Sequence, residues 1–282
     1  MTPTLVRQHL PHAGAAPRVD LRARARDWSE IQERMLVPLY EAVYERLDVG
    51  GGTRLLGLGC GSGLALLMAA SRGAAVTGVD SGSPELLDLA RRRLLPEAWD
   101  TGTGADARIA DRVPRDAADP AFTVVTAFEP IGCLAGDAEG LGELLAEATP
   151  LAERGAAVVL AGWGPPERCA TTSVLRVGAK LADPLCSAGS WRPALRDDLE
   201  EVAQRAGLRP DGSGRVACPF GYADVDSAVR GLLSTGLFDA AIAATDQEQV
   251  DKELTEALHP HRRQDGTVWM PNVFRYLIAR TP

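Results

Sequence analysis

Aromatic residues make up only 5% of this 282-residue chain, and lysine occurs only at Lys180 and Lys252. So few aromatics mean a core built mainly from leucine, valine and alanine. Acidic residues outnumber basic ones 38 to 30, for a net charge of −8. That balance argues against a broad nucleic-acid footprint. The local run Arg22, Arg24, Arg26 reads either as a solvated helix face or as a phosphate contact. The five cysteines, Cys60, Cys133, Cys169, Cys186 and Cys218, are odd in number and never fall at CxxC spacing. A disulfide framework and a zinc site are both disfavoured, no metal is expected, and a reducing cytoplasm fits. No apolar run is long enough to span a bilayer, and residues 1–18 lack the apolar core of a signal peptide. The expectation is a cytoplasmic protein without a membrane partner. Its apolar content of 45% suits one large α/β domain with a small cap.

Residues 1–27 read as an N-terminal tail, flexible over the first 20. From Trp28 to Leu47, apolar side chains recur every four residues at Ile31, Met35, Leu39, Val43 and Leu47, which predicts a helix over 28–48. Ser29 with Gln32 suits a capping box, and Gly50-Gly51-Gly52 ends the element. Strands are then predicted at 54–59, 75–80, 107–111, 122–128 and 156–163. Helices fall between them at 64–71, 84–95 and 138–149. Such alternation predicts a parallel sheet covered on both faces. Cap or lid elements are expected at about 164–193 and 225–262. Between them lie a helix at 194–206 and a strand near 215–222, and a last strand follows at 273–280.

The strand at 54–59 breaks into Gly59-Cys60-Gly61-Ser62-Gly63, and an apolar helix follows at once. Glycines let the backbone turn tightly and lie close to a ligand. Dinucleotide enzymes use similar spacing, so the run alone is ambiguous. Its surroundings narrow it. Asp80 ends the second strand, where an acid accepts hydrogen bonds from ribose hydroxyls. Asp111 ends the third, where an acid accepts from an adenine amine, and Phe128-Glu129-Pro130 ends the fourth.

With these residues the chain resembles the class I S-adenosylmethionine-dependent methyltransferases, and more closely small-molecule methyltransferases of actinomycete type. The resemblance runs from about Trp28 to the C-terminus and includes Pro271-Asn272-Val273-Phe274-Arg275-Tyr276 beside the last strand. It implies an α/β, Rossmann-like, doubly wound sheet of seven mostly parallel strands, the last antiparallel. It also implies that S-adenosylmethionine is the cofactor and S-adenosylhomocysteine the product. Gly57, Gly59, Cys60, Gly61 and Gly63 would line the methionine and ribose parts. Asp80 and Ser81 would flank the ribose, Asp111 and Arg112 the adenine, and Phe128 the methionine moiety.

Four departures from the family pattern stand out. Gly57 occupies a position commonly held by Asp or Glu, and tolerated drift and altered cofactor use both remain open. The turn Asp80-Ser81-Gly82-Ser83-Pro84 is one residue longer than usual, and Thr123 stands where an Asp is frequent. Glu129-Pro130 replaces a more usual Asn. Glu129 is a candidate general base if apolar walls raise its pKa, or else an ion-paired rim carboxylate. His261 is a second candidate base or a surface turn residue. Trp28, Tyr40, Trp163 and Trp191 suit either packing or a substrate wall. The function expected is methyl transfer to a small molecule in bacterial secondary metabolism, antibiotic biosynthesis being one setting, and a homodimer is compatible. The alternatives are a cyclase, lyase or isomerase on the same fold, and an inactive partner subunit.

Overall fold

The computed structural model describes residues 20–95, 106–114, 121–132, 137–183 and 198–282. Trp191, Cys133, Cys186 and the lid stretch 184–193 lie outside them.

Helix begins earlier than the sequence suggests. The Asp20 side chain accepts the Arg22 and Ala23 N–H groups at 3.0 and 3.1 Å, capping helix α1 (Leu21–Asp27). Residues 21–27 are therefore not tail. Ala25 is buried, and Arg24 pairs with Asp239 at 3.0 Å. Nor is 28–48 one uniform helix. Trp28–Gln32 forms a π-type turn and Glu33–Leu36 a 3-10 turn before α2 (Val37–Arg46). Pro38 has no N–H to give the Arg34 carbonyl, so the α-helical ladder restarts there.

Strands β1 (Arg54–Leu58), β2 (Ala75–Val79), β3 (Ala107–Ala110), β4 (Phe122–Ile131) and β5 (Ala152–Trp163) are parallel. They alternate with α3 (Leu64–Ala70), α4 (Pro84–Leu94) and α5 (Asp137–Ala148). After α6 (Thr171–Ala182) and α7 (Asp198–Arg205), β6 (Arg209–Ala217) forms the far edge. The expected strand at 215–222 divides here, because Phe220–Tyr222 leaves the main sheet as β7. Helices α8 (Val225–Ser234), α9 (Asp239–Ala244) and α10 (Gln247–Leu258) follow. Then come β8 (Val268–Met270), which pairs with β7, and β9 (Val273–Arg280). The main sheet has the order β3-β2-β1-β4-β5-β9-β6, with β9 antiparallel to both neighbours.

Successive strand residues point to opposite faces, so β1 feeds two cores. Leu56 and Leu58 pack with Leu145 of α5 and with Leu199 and Val202 of α7. Leu55 joins the other core, with Leu39 and Val43 of α2 and Leu66 of α3. That second core continues into the cap through Val174, Leu232, Phe238, Val250 and Leu254. The cap is thus fused to one face of the sheet.

Asn272 makes the join between β9 and the cap. Its Oδ1 accepts the Thr171 N–H at 3.1 Å, and its Nδ2 donates to Thr171 Oγ1 at 2.9 Å and to the Met270 carbonyl at 3.2 Å. It is 2% exposed. Asn272→Ala leaves the buried start of α6 unpaired. We expect a loss of about 2 kcal/mol, the cost of orphaning a buried donor, read from the urea midpoint.

Candidate active site

The order of the sheet reverses between β1 and β4, and a crevice opens outside the strand ends at such a point. The glycine loop enters it from β1. Gly59, Gly61 and Gly63 have φ of +60°, +54° and +82°. At Gly61 a Cβ would stand 3.2 Å from Trp28 Nε1. At Gly63 it would stand 3.1 Å from the Ala90 Cβ, so α4 packs directly on the loop. The Cys60 N–H donates to the Val79 carbonyl at 3.0 Å, which carries the β1–β2 ladder into the loop. Its sulfur packs against Gly78. Burial, with Asp80 and Glu33 adding to it, pushes the thiol up to about 12. Cys60 therefore contributes backbone rather than a nucleophile.

Asp80 braces the same loop. One carboxylate oxygen accepts the Gly61 N–H at 3.0 Å and the other accepts the Gly82 N–H at 2.8 Å. The extra residue of the 80–84 turn is absorbed by this bond to Gly82. Each oxygen keeps a lone pair for a further donor. Asp111 and Arg112 stand exposed at the mouth of the crevice, paired at 3.4 Å. The guanidinium of Arg112 holds the Asp111 carboxyl below the usual carboxylate range.

Glu129 is aimed by a bulge. Ala127 pairs with Leu160 and Ile131 with Gly162, so three residues of β4 oppose one of β5. A bulge re-aims side chains and tolerates a proline that cannot donate to the ladder. Pro130 is thus accommodated. Glu129 Oε2 lies 3.3 Å from where a Gly59 Cβ would be. The carboxylate is open to the cavity but has protein on most sides. Desolvation raises its pKa, with Asp80 and Asp137 adding to the effect.

Two adjoining cavities meet at Glu129. The smaller, about 130 Å³, is walled by the glycine loop, Glu33, Tyr40, Asp80 and Phe128. The larger, about 680 Å³, is lined by Ser81, Asp111, Arg112 and Leu144 and by the aromatic group Trp163, Phe220 and Phe274. Trp163 and Phe274 lie 4.6 Å apart between ring centroids. Trp28, Leu36, Gly59 and Glu129 line both spaces. Tyr40 and Phe128 are buried and in contact at 4.8 Å.

The structure thus gathers Glu129, Gly59, Cys60, Gly61, Asp80, Ser81, Asp111, Arg112, Phe128, Trp28, Tyr40 and Trp163 around one crevice, while Gly63 lines neither cavity and faces α4 instead. It does not bring His261 there. That residue lines a separate groove with Arg168, Arg176 and Pro271, because Pro260 turns the chain into a 3-10 turn beside the start of the cap. His261 is accordingly set aside as a base for this site. Gly57 lines the smaller cavity, but Leu66 fills the space of its missing side chain. A Cβ would lie 2.8 Å from Leu66 Cδ2.

Sequence reasoning missed Ser29, Glu33, Ser62 and Arg93, which form a hydrogen-bonded cluster behind the loop. One signal was available. Ser29, Glu33, Leu36 and Tyr40 fall at i, i+4, i+7 and i+11, a helix face that is polar at one end.

The raised pKa of Glu129 fixes a sign. As pH rises from the ordinary carboxylate range, the unfolded chain gives up this proton first, so stability falls until the folded group also ionises. Glu129→Gln removes the effect. Urea titrations across that pH range are expected to show a flatter profile for the variant, with higher stability than the wild type above it.

No family model and no curated protein matches this chain. Solved structures do match in fold. A Bacillus halodurans C-125 protein assigned as a methyltransferase is 15% identical, with a TM-score of 0.53 over 86% of this chain and 98% of its own. YjhP of E. coli is 21% identical, with a TM-score of 0.52 over 92% and 99%. The [4+2]-cyclase SpnF is 18% identical, with a TM-score of 0.50 over 86% and 80%. With its sheet order and antiparallel β9, the chain has the Rossmann-like fold of the class I methyltransferases.

Proposed function

We propose that the chain is an S-adenosylmethionine-dependent methyltransferase acting on a small molecule of bacterial secondary metabolism. The observation that carries this reading is the position of Glu129, at the junction of the loop chamber and the large cavity. Cofactor and acceptor would meet there. The cofactor supplies an already activated methyl group on a sulfonium, so the protein's work is alignment and exclusion of water.

The residues present fit that group. Gly59 and Gly61 leave no Cβ between the loop backbone and the chamber. Asp80, beside them, retains acceptor capacity toward ribose hydroxyls. Asp111 lies beyond Ser81 at the mouth of the larger cavity, suited to accept from adenine. The carboxylates Asp80 and Glu129 face the space where positive charge would sit, which suits a cation. Trp163, Phe220 and Phe274 offer an apolar wall to the acceptor. A negatively charged chain with a cavity of about 680 Å³ suits a small acceptor rather than a nucleic acid.

Glu129 is the group placed to take the acceptor's proton. A base must be unprotonated, so turnover is expected to rise as pH climbs through its raised pKa. A second reading keeps the fold and cofactor site but transfers no methyl group. The absent acid at Gly57 favours it, and the [4+2]-cyclase SpnF, which shares the fold, illustrates it.

Calorimetric titration with S-adenosylmethionine and S-adenosylhomocysteine tests both. We expect saturable binding of each, and no heat at millimolar ligand would rule out the methyltransferase reading. Given an acceptor, Glu129→Gln should lower turnover by roughly 10²-fold or more while S-adenosylhomocysteine affinity stays unchanged. Equal turnover in the variant would exclude Glu129 as the base. Binding without methyl release from any candidate acceptor would favour the second reading.

A further inference from the structure

Glu33 is 3% exposed, an unusual place for a carboxylate. Its Oε1 accepts the Leu64 N–H at 3.3 Å. Its Oε2 accepts from Arg93 at 2.9 Å and from the Ser62 hydroxyl. Arg93 also donates to the Ser62 carbonyl at 2.9 Å and to Ser29 Oγ at 2.8 Å. Three segments distant in sequence are thereby tied together: the turns after α1, the glycine loop and α4. The strand itself offers the loop no such group, since Gly57 is bare and Leu66 fills its place.

The segment that carries Glu33 has a second face. Trp28, Gln32 and Leu36 line the large cavity. Gln32 Oε1 accepts the Tyr222 hydroxyl at 2.9 Å, and Ile31 and Gln32 press on Gly231 of α8. Ion pairs from Arg24 to Asp239 and from Arg230 to Asp27 fasten it further to the cap. One short stretch therefore holds the glycine loop with one face and the cap wall of the acceptor cavity with the other.

We propose that Glu33 is the positioning residue of the glycine loop, supplying from the N-terminal segment the carboxylate that the strand lacks at Gly57. Order in the cofactor loop is thereby tied to the seating of that segment against the cap wall of the acceptor cavity. The cofactor half of this inference rests on the function proposed above; the loop half does not.

The test compares the wild type with Glu33→Gln in the full chain, by residue-resolved amide exchange without ligand and by S-adenosylhomocysteine calorimetry. Glutamine keeps the size of the side chain but faces Arg93 with donors and loses the charge. We expect exchange at Gly61–Leu64 to quicken by about ten-fold or more, affinity to fall by a similar factor, and β5 and β9 to exchange as before. Returning an acid to the strand should then recover affinity: Gly57→Asp with Leu66→Val, in the Glu33→Gln background. Should Glu33→Gln fail to fold, Ser62→Ala, which removes one partner of Glu33, is expected to show the same local acceleration to a smaller degree. Unchanged loop exchange, or acceleration spread evenly over all strands without recovery by the strand acid, overturns the proposal. A wild type that binds no S-adenosylhomocysteine overturns the cofactor reading instead, and the exchange measurement alone then decides the role of Glu33.

Discussion

The contact between Glu33 and the glycine loop is the constraint on which the rest of the site depends. A loop of three left-handed glycines has few side chains of its own with which to hold a shape, and glycine loses the most backbone freedom on ordering. Something outside must hold it. Asp80 grips one end through the Gly61 N–H, and Glu33 grips the other through Leu64 and Ser62. Burying a carboxylate is costly unless it is paired and hydrogen-bonded, and Arg93 meets both needs at once. Removing one member of such a pair typically costs about 3–5 kcal/mol, because the other charge is left buried and alone. The cluster therefore acts as a unit.

The second constraint is the geometry at the end of β4. A regular strand would alternate Phe128 and Glu129 across the sheet and bury one of them. Phe128 keeps the alternation of the strand, sharing a core with Val124 and packing on Tyr40, while the irregularity against β5 falls after Ala127, where Glu129 faces the junction of the cavities. The carboxylate beside Gly59 thus sits within the irregular end of β4. Desolvation there makes the carboxylate hold its proton more tightly than an isolated glutamate, and the like charges of Asp80 and Asp137 add to the effect.

The sequence carried the sheet well, because strand periodicity, glycine spacing and strand-end acids are all local signals. β1, β2, α4 and β9 fall where pattern alone puts them. The N-terminal stretch was harder. Its four-residue periodicity is real, yet Pro38 and the demands of Trp28 and Glu33 switch the helix type twice without disturbing which side chains are buried. The polar cluster was not legible, because Ser29, Ser62 and Arg93 lie about thirty residues apart and become neighbours only through the fold. His261 failed for the opposite reason. A proline-flanked histidine near the cap looks available, but its direction depends on how the cap docks, and it docks toward Arg168.

Gly57 shows how a local departure is answered at a distance. Taken alone, it removes an acid from the floor of a site suited to a cation. In the fold, Leu66 occupies the vacated space and knits the helix more tightly to β1. The negative charge is then provided from two other directions, by Glu33 behind the loop and Glu129 in front of it. These two are not equivalent. Glu33 is fully paired, so its field is largely spent on Arg93 and the loop amides. Glu129 faces the open junction, where desolvation raises its pKa and its like-charged neighbours add to the effect, and a cation there would offset that repulsion. A positively charged group seated between Gly59 and Glu129 would therefore act against that upward shift and favour the ionised carboxylate.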